Sequence, residues 1–195
     1  MKKYLLTLAV ALVAAPLAFA QQGGWETGLS LGSCLYDRSQ GHSEIGIRSN
    51  SETNGHVAEY SPTLLPTFVA TAGYNFADAP FGVFMNVGWN YAWNTLKGGP
   101  SPLKEQEHIL HFTPEVRLYY VQNPKFRMYA TVGADLRYRS YTEQYRSSKC
   151  SNADISFGYQ LSPLGFSFGD RWLVSMDFGF GTLWSAVSIG AGYRF

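Results

Sequence analysis

Between Phe81 and Asn94 the chain reads FGVFMNVGWNYAWN, and its side chains divide by parity alone. Phe81, Val83, Met85, Val87, Trp89, Tyr91 and Trp93 share one face of an extended strand. Gly82, Asn86, Gly88, Asn90 and Asn94 share the other. Period two marks a strand with one greasy face and one polar or small face. The alternation returns in seven more stretches, beginning at Trp25, Leu64, Glu107, Phe126, Ile155, Trp172 and Ser185. Eight such segments confine the chain to an all-β fold.

The second face decides which one. A soluble sandwich would turn its apolar faces inward, but it has no need of glycines in strand interiors, where they cost stability. Here Gly, Ser and Thr share their face with Glu26, Glu115, Arg117, Asp135, Arg137, Asp177 and Arg194. A small closed barrel has a narrow interior, in which small residues make room for a few long charged ones. Its apolar face then meets lipid. The expected fold is an eight-stranded closed antiparallel transmembrane β-barrel, whose even count brings the last strand beside the first and leaves no free edge.

The rings support a membrane setting. With the first strand running outward, Trp25, Phe81, Tyr120, Phe126, Trp172 and Phe195 fall near the periplasmic rim. Tyr91, Trp93, Tyr138 and Trp184 fall near the outer rim. Membrane interfaces favour rings at those two levels. The periplasmic turns ADAP, QNP and GDR are short, whereas the outer connections 37–62, LKGGPSPLKEQ and the stretch around 143–153 are longer. One strand breaks its own rhythm: the apolar parity is odd through Leu161 and even from Leu164. That slip predicts a β-bulge at Ser162-Pro163, where proline is tolerated.

At the amino end, Lys2 and Lys3 precede an apolar run and Ala18-Phe19-Ala20, which reads as a secretory signal peptide over residues 1–20 and leaves 21–195 as one domain. Without Lys2 and Lys3, 13 basic residues face 14 acidic ones. That balance offers no basic track for nucleic acid. Two cysteines in an exported chain permit one disulfide, between Cys34 and Cys150, if the loop near Cys150 folds inward.

Three stretches carry a family resemblance: LSPLGFSFGDRW, MDFGFGTLWSAV and the terminal VSIGAGYRF. With them the mature chain resembles the small eight-stranded outer-membrane barrels of the OmpA-transmembrane and OmpX-like group, and most closely the outer membrane protein β-barrel domain proteins of Bacteroidetes type. The resemblance implies insertion in the outer membrane with both termini periplasmic. It also implies that Tyr193 and Phe195 belong to an assembly signal read by the barrel assembly machinery.

The expected function is a structural, envelope-stabilising or loop-binding one, with an accessory subunit of a larger complex or a small gated pore as the alternative. The resemblance adds lipid A modification as a third option, but the residues argue against an enzyme. His42, Ser43 and Glu44 are neighbours in sequence, but a catalytic set needs fixed geometry around one line of proton transfer. His108 and His111 take opposite faces of a strand, His56 stands alone, and the cysteines have no zinc-site spacing. No catalytic residue, metal ligand or cofactor is therefore assigned. What remains inside is an ion-pair network: Glu26, Glu115, Asp135 and Asp177 with Arg117, Arg127, Arg137, Arg139 and Arg194. Buried charges must pair or meet water, so these residues read as a plug filling the lumen, with a narrow gated pore as the alternative. The expected partners are outer-membrane lipid and lipopolysaccharide, with a larger outer-membrane protein complex as a further option. The long loop 37–62 is the candidate contact surface.

Overall fold

The structure, a computed structural model, describes residues 24–33, 63–76, 79–96, 103–145 and 148–195. Nine strands run through them: β1 (Gly24–Gly32), β2 (Thr63–Leu64), β3 (Thr67–Asn75), β4 (Phe81–Leu96), β5 (Leu103–Gln122), β6 (Phe126–Tyr145), β7 (Ser148–Phe168), β8 (Trp172–Gly181) and β9 (Ala186–Arg194). Eight of them form the wall. β2 is a two-residue spur that pairs only with β4, through Thr63↔Trp93 and Leu64↔Ala92. Pro66, which has no N–H to give, separates the spur from β3.

Each wall strand pairs antiparallel with its sequence neighbours, and β1 closes the ring. It meets β3 on one side through Leu29↔Ala70 and β9 on the other through Leu29↔Ala191. The wall is an eight-stranded closed antiparallel barrel. Its turns on the side of Gly24 are short, and in one of them Gly169 occupies a left-handed φ of 116°. There its N–H donates to the Lys125 carbonyl at 2.9 Å.

The barrel is inverted relative to a soluble protein. Leu29, Phe157 and Trp172 stand out from the wall at 71%, 83% and 77% exposure, while Thr113, Asp135 and Gln160 are buried in the lumen. Hydrocarbon is the solvent that makes such an exterior favourable. The bulge falls where the parity slips. β7 runs from Leu161 to Leu164 while its β8 partners run from Phe180 to Phe178, so one extra residue sits at Ser162-Pro163. That residue keeps Leu164, Phe166 and Phe168 outside and Gly165 and Ser167 inside.

Two expectations fail. The stretch around 143–153 is not a loop: β6 runs to Tyr145 and β7 begins at Ser148, paired from Tyr145↔Ser148 downward. Cross-strand pairing simply continues past the level at which β8 stops. Likewise Leu96 belongs to β4, and β5 begins at Leu103. The second failure is Trp184, which joins no outer belt. It lies inside the barrel, 7% exposed, against Val69 and Leu183. Residues 1–20, the loop 37–62, His42, Ser43, His56 and Cys34 fall outside the described residues, and with Cys34 so does its pairing with Cys150.

Candidate functional site in the lumen

Inward parity places a carboxylate on β1 level with guanidinium groups from three other strands. Glu26 Oε1 accepts from Arg117 Nη1 at 3.1 Å, and its Oε2 lies 3.8 Å from Arg127 Nη1 and 3.5 Å from Arg194 Nη2. Arg117 also reaches Glu115 at 3.4 Å. The Arg117 guanidinium is held between two rings, 3.9 Å from the centre of Phe84 and 4.3 Å from that of Tyr129. Planar, weakly hydrated guanidinium suits such a sandwich. Asn75 Nδ2 donates to Glu26 Oε2 at 3.3 Å, and the Tyr119 hydroxyl donates to Asn75 Oδ1. Arg194 is further anchored on the Asp170 carbonyl at 3.1 Å. These groups cluster in the periplasmic half of the lumen.

A second tier gathers on Asp135. His111 Nδ1 lies 2.9 Å from its Oδ2, and Thr113 Oγ1 donates to its Oδ1 at 2.9 Å. Thr182 Oγ1 donates to Oδ2 as well, at 2.5 Å. Arg137 faces the lumen in register with His111 and Ser156. Nearer the outer end, Arg139 Nε pairs with Asp154 at 2.8 Å and Glu107 at 3.6 Å.

Thr182 belongs to the β8–β9 turn, and that turn folds into the barrel mouth. Leu183 and Trp184 point inward onto Val69. Trp184 N–H donates to Gln160 Oε1 at 3.3 Å, Ser185 N–H to the Ser33 carbonyl at 2.8 Å and Thr182 N–H to the Tyr159 carbonyl at 2.9 Å. Two glycines make the space: a Cβ on Gly32 would overlap Trp184, and one on Gly88 would overlap Leu183. Ala186, with a φ of 76°, turns the chain back into β9. Between this seal and the Arg117 clamp lies a cavity of about 50 Å³, lined by Arg117, Asp177, Ser162, Ser175, Ser188 and Trp184 among others. It has room for a few water molecules.

The sequence-predicted residues therefore divide. Glu26, Glu115, Arg117, Arg127 and Arg194 meet in one cluster with Asp177 on the same cavity, whereas Asp135 and Arg139 serve other partners. Phe84, Tyr129, Val69 and Leu173 also project inward, and polarity gave no signal for them. Their parity did, because each follows the small or polar face of its strand. Leu183 projects inward too, from the β8–β9 turn, where parity gives no signal.

The sequence model of the outer membrane protein beta-barrel domain matches residues 5–195. The chain belongs to that family. Its place is accordingly the outer membrane, spanned by the eight wall strands, with both termini on the periplasmic side. Among solved structures, the chain is similar to Ail, the attachment invasion locus protein of Yersinia pestis. The identity is 14%, over 90% of this chain and 100% of that one, with a TM-score of 0.47. It is also similar to Neisserial surface protein A, at 12% identity over 89% and 98% with a TM-score of 0.42. The family assignment rests on the sequence match and on neither of these. No curated protein sequence matches the chain. Among the described residues, no group of three or more His, Cys, Asp and Glu side chains could hold a metal ion.

Proposed function

We propose that this outer-membrane barrel is a non-enzymatic envelope protein that stabilises the membrane and offers its outer rim for contact, with a lumen closed by its own side chains. The observation that carries the reading is Glu26, whose carboxylate draws Arg117, Arg127 and Arg194 together across the lumen. Charges engaged with one another are costly to separate, which favours a structural brace over a permeation path. In this reading residues 1–20 direct export and 21–195 form the barrel domain. Tyr193 and Phe195 are read by the assembly machinery, and the outer-leaflet lipid at the rim is lipopolysaccharide.

Planar-bilayer recording tests the closed lumen. The full protein should give no steady openings, and ion-selective openings that change with Arg137→Glu would overturn the brace. Photo-crosslinkers at Gln106 and Asn152, both exposed at the outer end, test the contact role on intact cells. Crosslinks to lipid alone at both positions would remove it. The cavity beneath Trp184 favours a second reading, a small gated pore, for which the same recording is decisive.

A further inference from the structure

The cavity between the Trp184 turn and the Arg117 cluster has a lining that its own side chains leave unbalanced. Three carboxylates border it, Glu26, Glu115 and Asp177, against one guanidinium, Arg117. Arg117 gives Nη1 to Glu26 and Nη2 to Glu115. Glu26 also has Arg127 and Arg194 beside it. Asp177 has no such counterpart: among the described residues, no cationic side chain stands within salt-bridge distance of it. Tyr129 can offer it a hydroxyl, but a neutral donor leaves a buried charge uncompensated.

A second group at the same cavity is unanswered. Ser162 is 1% exposed, lines the cavity, and has no hydrogen-bond partner for its Oγ. The two side chains lean onto each other's strands. Asp177 of β8 lies over Gly165 of β7, where a Cβ would stand 2.6 Å from its Oδ1. Ser162 of β7 lies over Gly179 of β8, where a Cβ would stand 2.8 Å from its Oγ. The bulge creates this arrangement, because its extra residue lets both Ser162 and Gly165 face the lumen. Asp177 and Ser162 thus become diagonal neighbours across the ladder, and no hydrogen bond joins them. Ser188 stands opposite Asp177 on β9, and Ser175 lines the cavity from β8.

Oxygens that share one uncompensated negative charge select their occupant. An anion would meet the Asp177 carboxylate. Water would answer Ser162 and leave the charge. A divalent ion is held by more carboxylate than one side chain supplies, and among the described residues no group of three or more His, Cys, Asp and Glu side chains could hold a metal. A monovalent cation matches the charge, and hard cations take carboxylate, hydroxyl and water oxygens. The volume of about 50 Å³ accommodates such an ion with a few waters.

We propose that the lumen binds a monovalent alkali cation, sodium or potassium, between Asp177 and Ser162, with Ser175, Ser188 and water supplying further oxygens. The site goes beyond the closed-lumen reading, since the ion binds there whether the path is sealed or gated.

The test uses the full protein in a non-ionic detergent. Its thermal midpoint, read by circular dichroism, is followed in sodium, potassium and tetramethylammonium chloride at equal ionic strength. Sodium or potassium raises the midpoint along a saturating curve, as a ligand of the folded state does. Tetramethylammonium, which cannot shed its methyl groups to reach the oxygens, does not. Asp177→Asn keeps the side-chain size and abolishes the rise, and Ser162→Ala weakens the apparent affinity severalfold. Thallium(I) acetate gives a second readout, because this potassium mimic quenches indole emission and Trp184 lines the cavity. A saturable part of the quenching is expected, and it disappears in Trp184→Phe and in Asp177→Asn. An equal rise with tetramethylammonium would reduce the effect to screening and overturn the site. So would a cation-specific rise that survives in Asp177→Asn. No response to any of the salts, with no saturable thallium quenching, would leave a cavity filled by water alone and overturn it too. If Asp177→Asn fails to fold, unchanged affinity in Ser162→Ala overturns the proposal by itself.

Discussion

Glu26 on β1 and Arg117 on β5 meet across the lumen at 3.1 Å, although 91 residues separate them in the chain. The same carboxylate stands near Arg127 and Arg194, so one acid holds three strands besides its own. Removing it would leave buried guanidinium groups facing each other.

Glu26→Ala is therefore expected to destabilise the barrel by about 3–5 kcal/mol, the cost of breaking a buried pair from one side. The midpoint of the heat-modifiable gel shift, or urea unfolding in detergent, measures it. The double variant Glu26→Ala, Arg117→Ala should lose less than the sum of the single losses. Strict additivity would show that the two side chains do not support each other.

In the proposed closed-lumen reading two barriers in series, the Trp184 turn and the Arg117 cluster, block the path, and they can be removed one at a time. Trp184→Ala should cost about 3–5 kcal/mol through the cavity it leaves, yet stay silent in a planar bilayer because the Arg117 clamp still bars the path. Trp184→Ala combined with Arg117→Ala should conduct. Openings in Trp184→Ala alone would mean that the clamp is not a barrier.

Gly88 is needed for its missing side chain. Gly88→Val should push Leu183 out of the mouth and cost about 1–3 kcal/mol, as overpacking does. Iodide should then quench more of the tryptophan emission, since Trp184 moves with Leu183. Unchanged quenching with a folded barrel would place the seal elsewhere.

The bulge makes a counter-intuitive deletion harmless. Removing Pro163 restores unbroken alternation along β7, so Leu164, Phe166 and Phe168 stay in lipid and the barrel still folds. Removing Ser175 from β8, where no bulge absorbs the change, turns Trp172 and Val174 into the lumen. Only the first variant should show heat-modifiable migration.

Parity makes the inside and outside of each strand legible in the sequence. A one-residue period error would have put Arg117 or Glu115 in hydrocarbon. The inward placement of the network and the bulge at Ser162-Pro163 follow from that constraint, and so do the lipid-facing rows. The limit shows at Trp184. It sits in a turn rather than a strand, where alternation no longer dictates direction, and its ring is as well suited to an interface as to a core. The space left by Gly32 and the Gln160 amide draw it inward, and both come from strands distant in sequence.

The sequence by itself determined which faces meet lipid and which face each other, because a strand has only two faces and the membrane tolerates charge on only one of them. The tertiary structure alone decided which charges meet. That depends on the stagger between strands around the closed ring, which brings β1, β5, β6 and β9 to one level at Glu26. It also decided where pairing stops. β6 and β7 continue upward together past the end of β8, leaving Ile155 and Phe157 with backbone groups that no neighbouring strand among the described residues can satisfy.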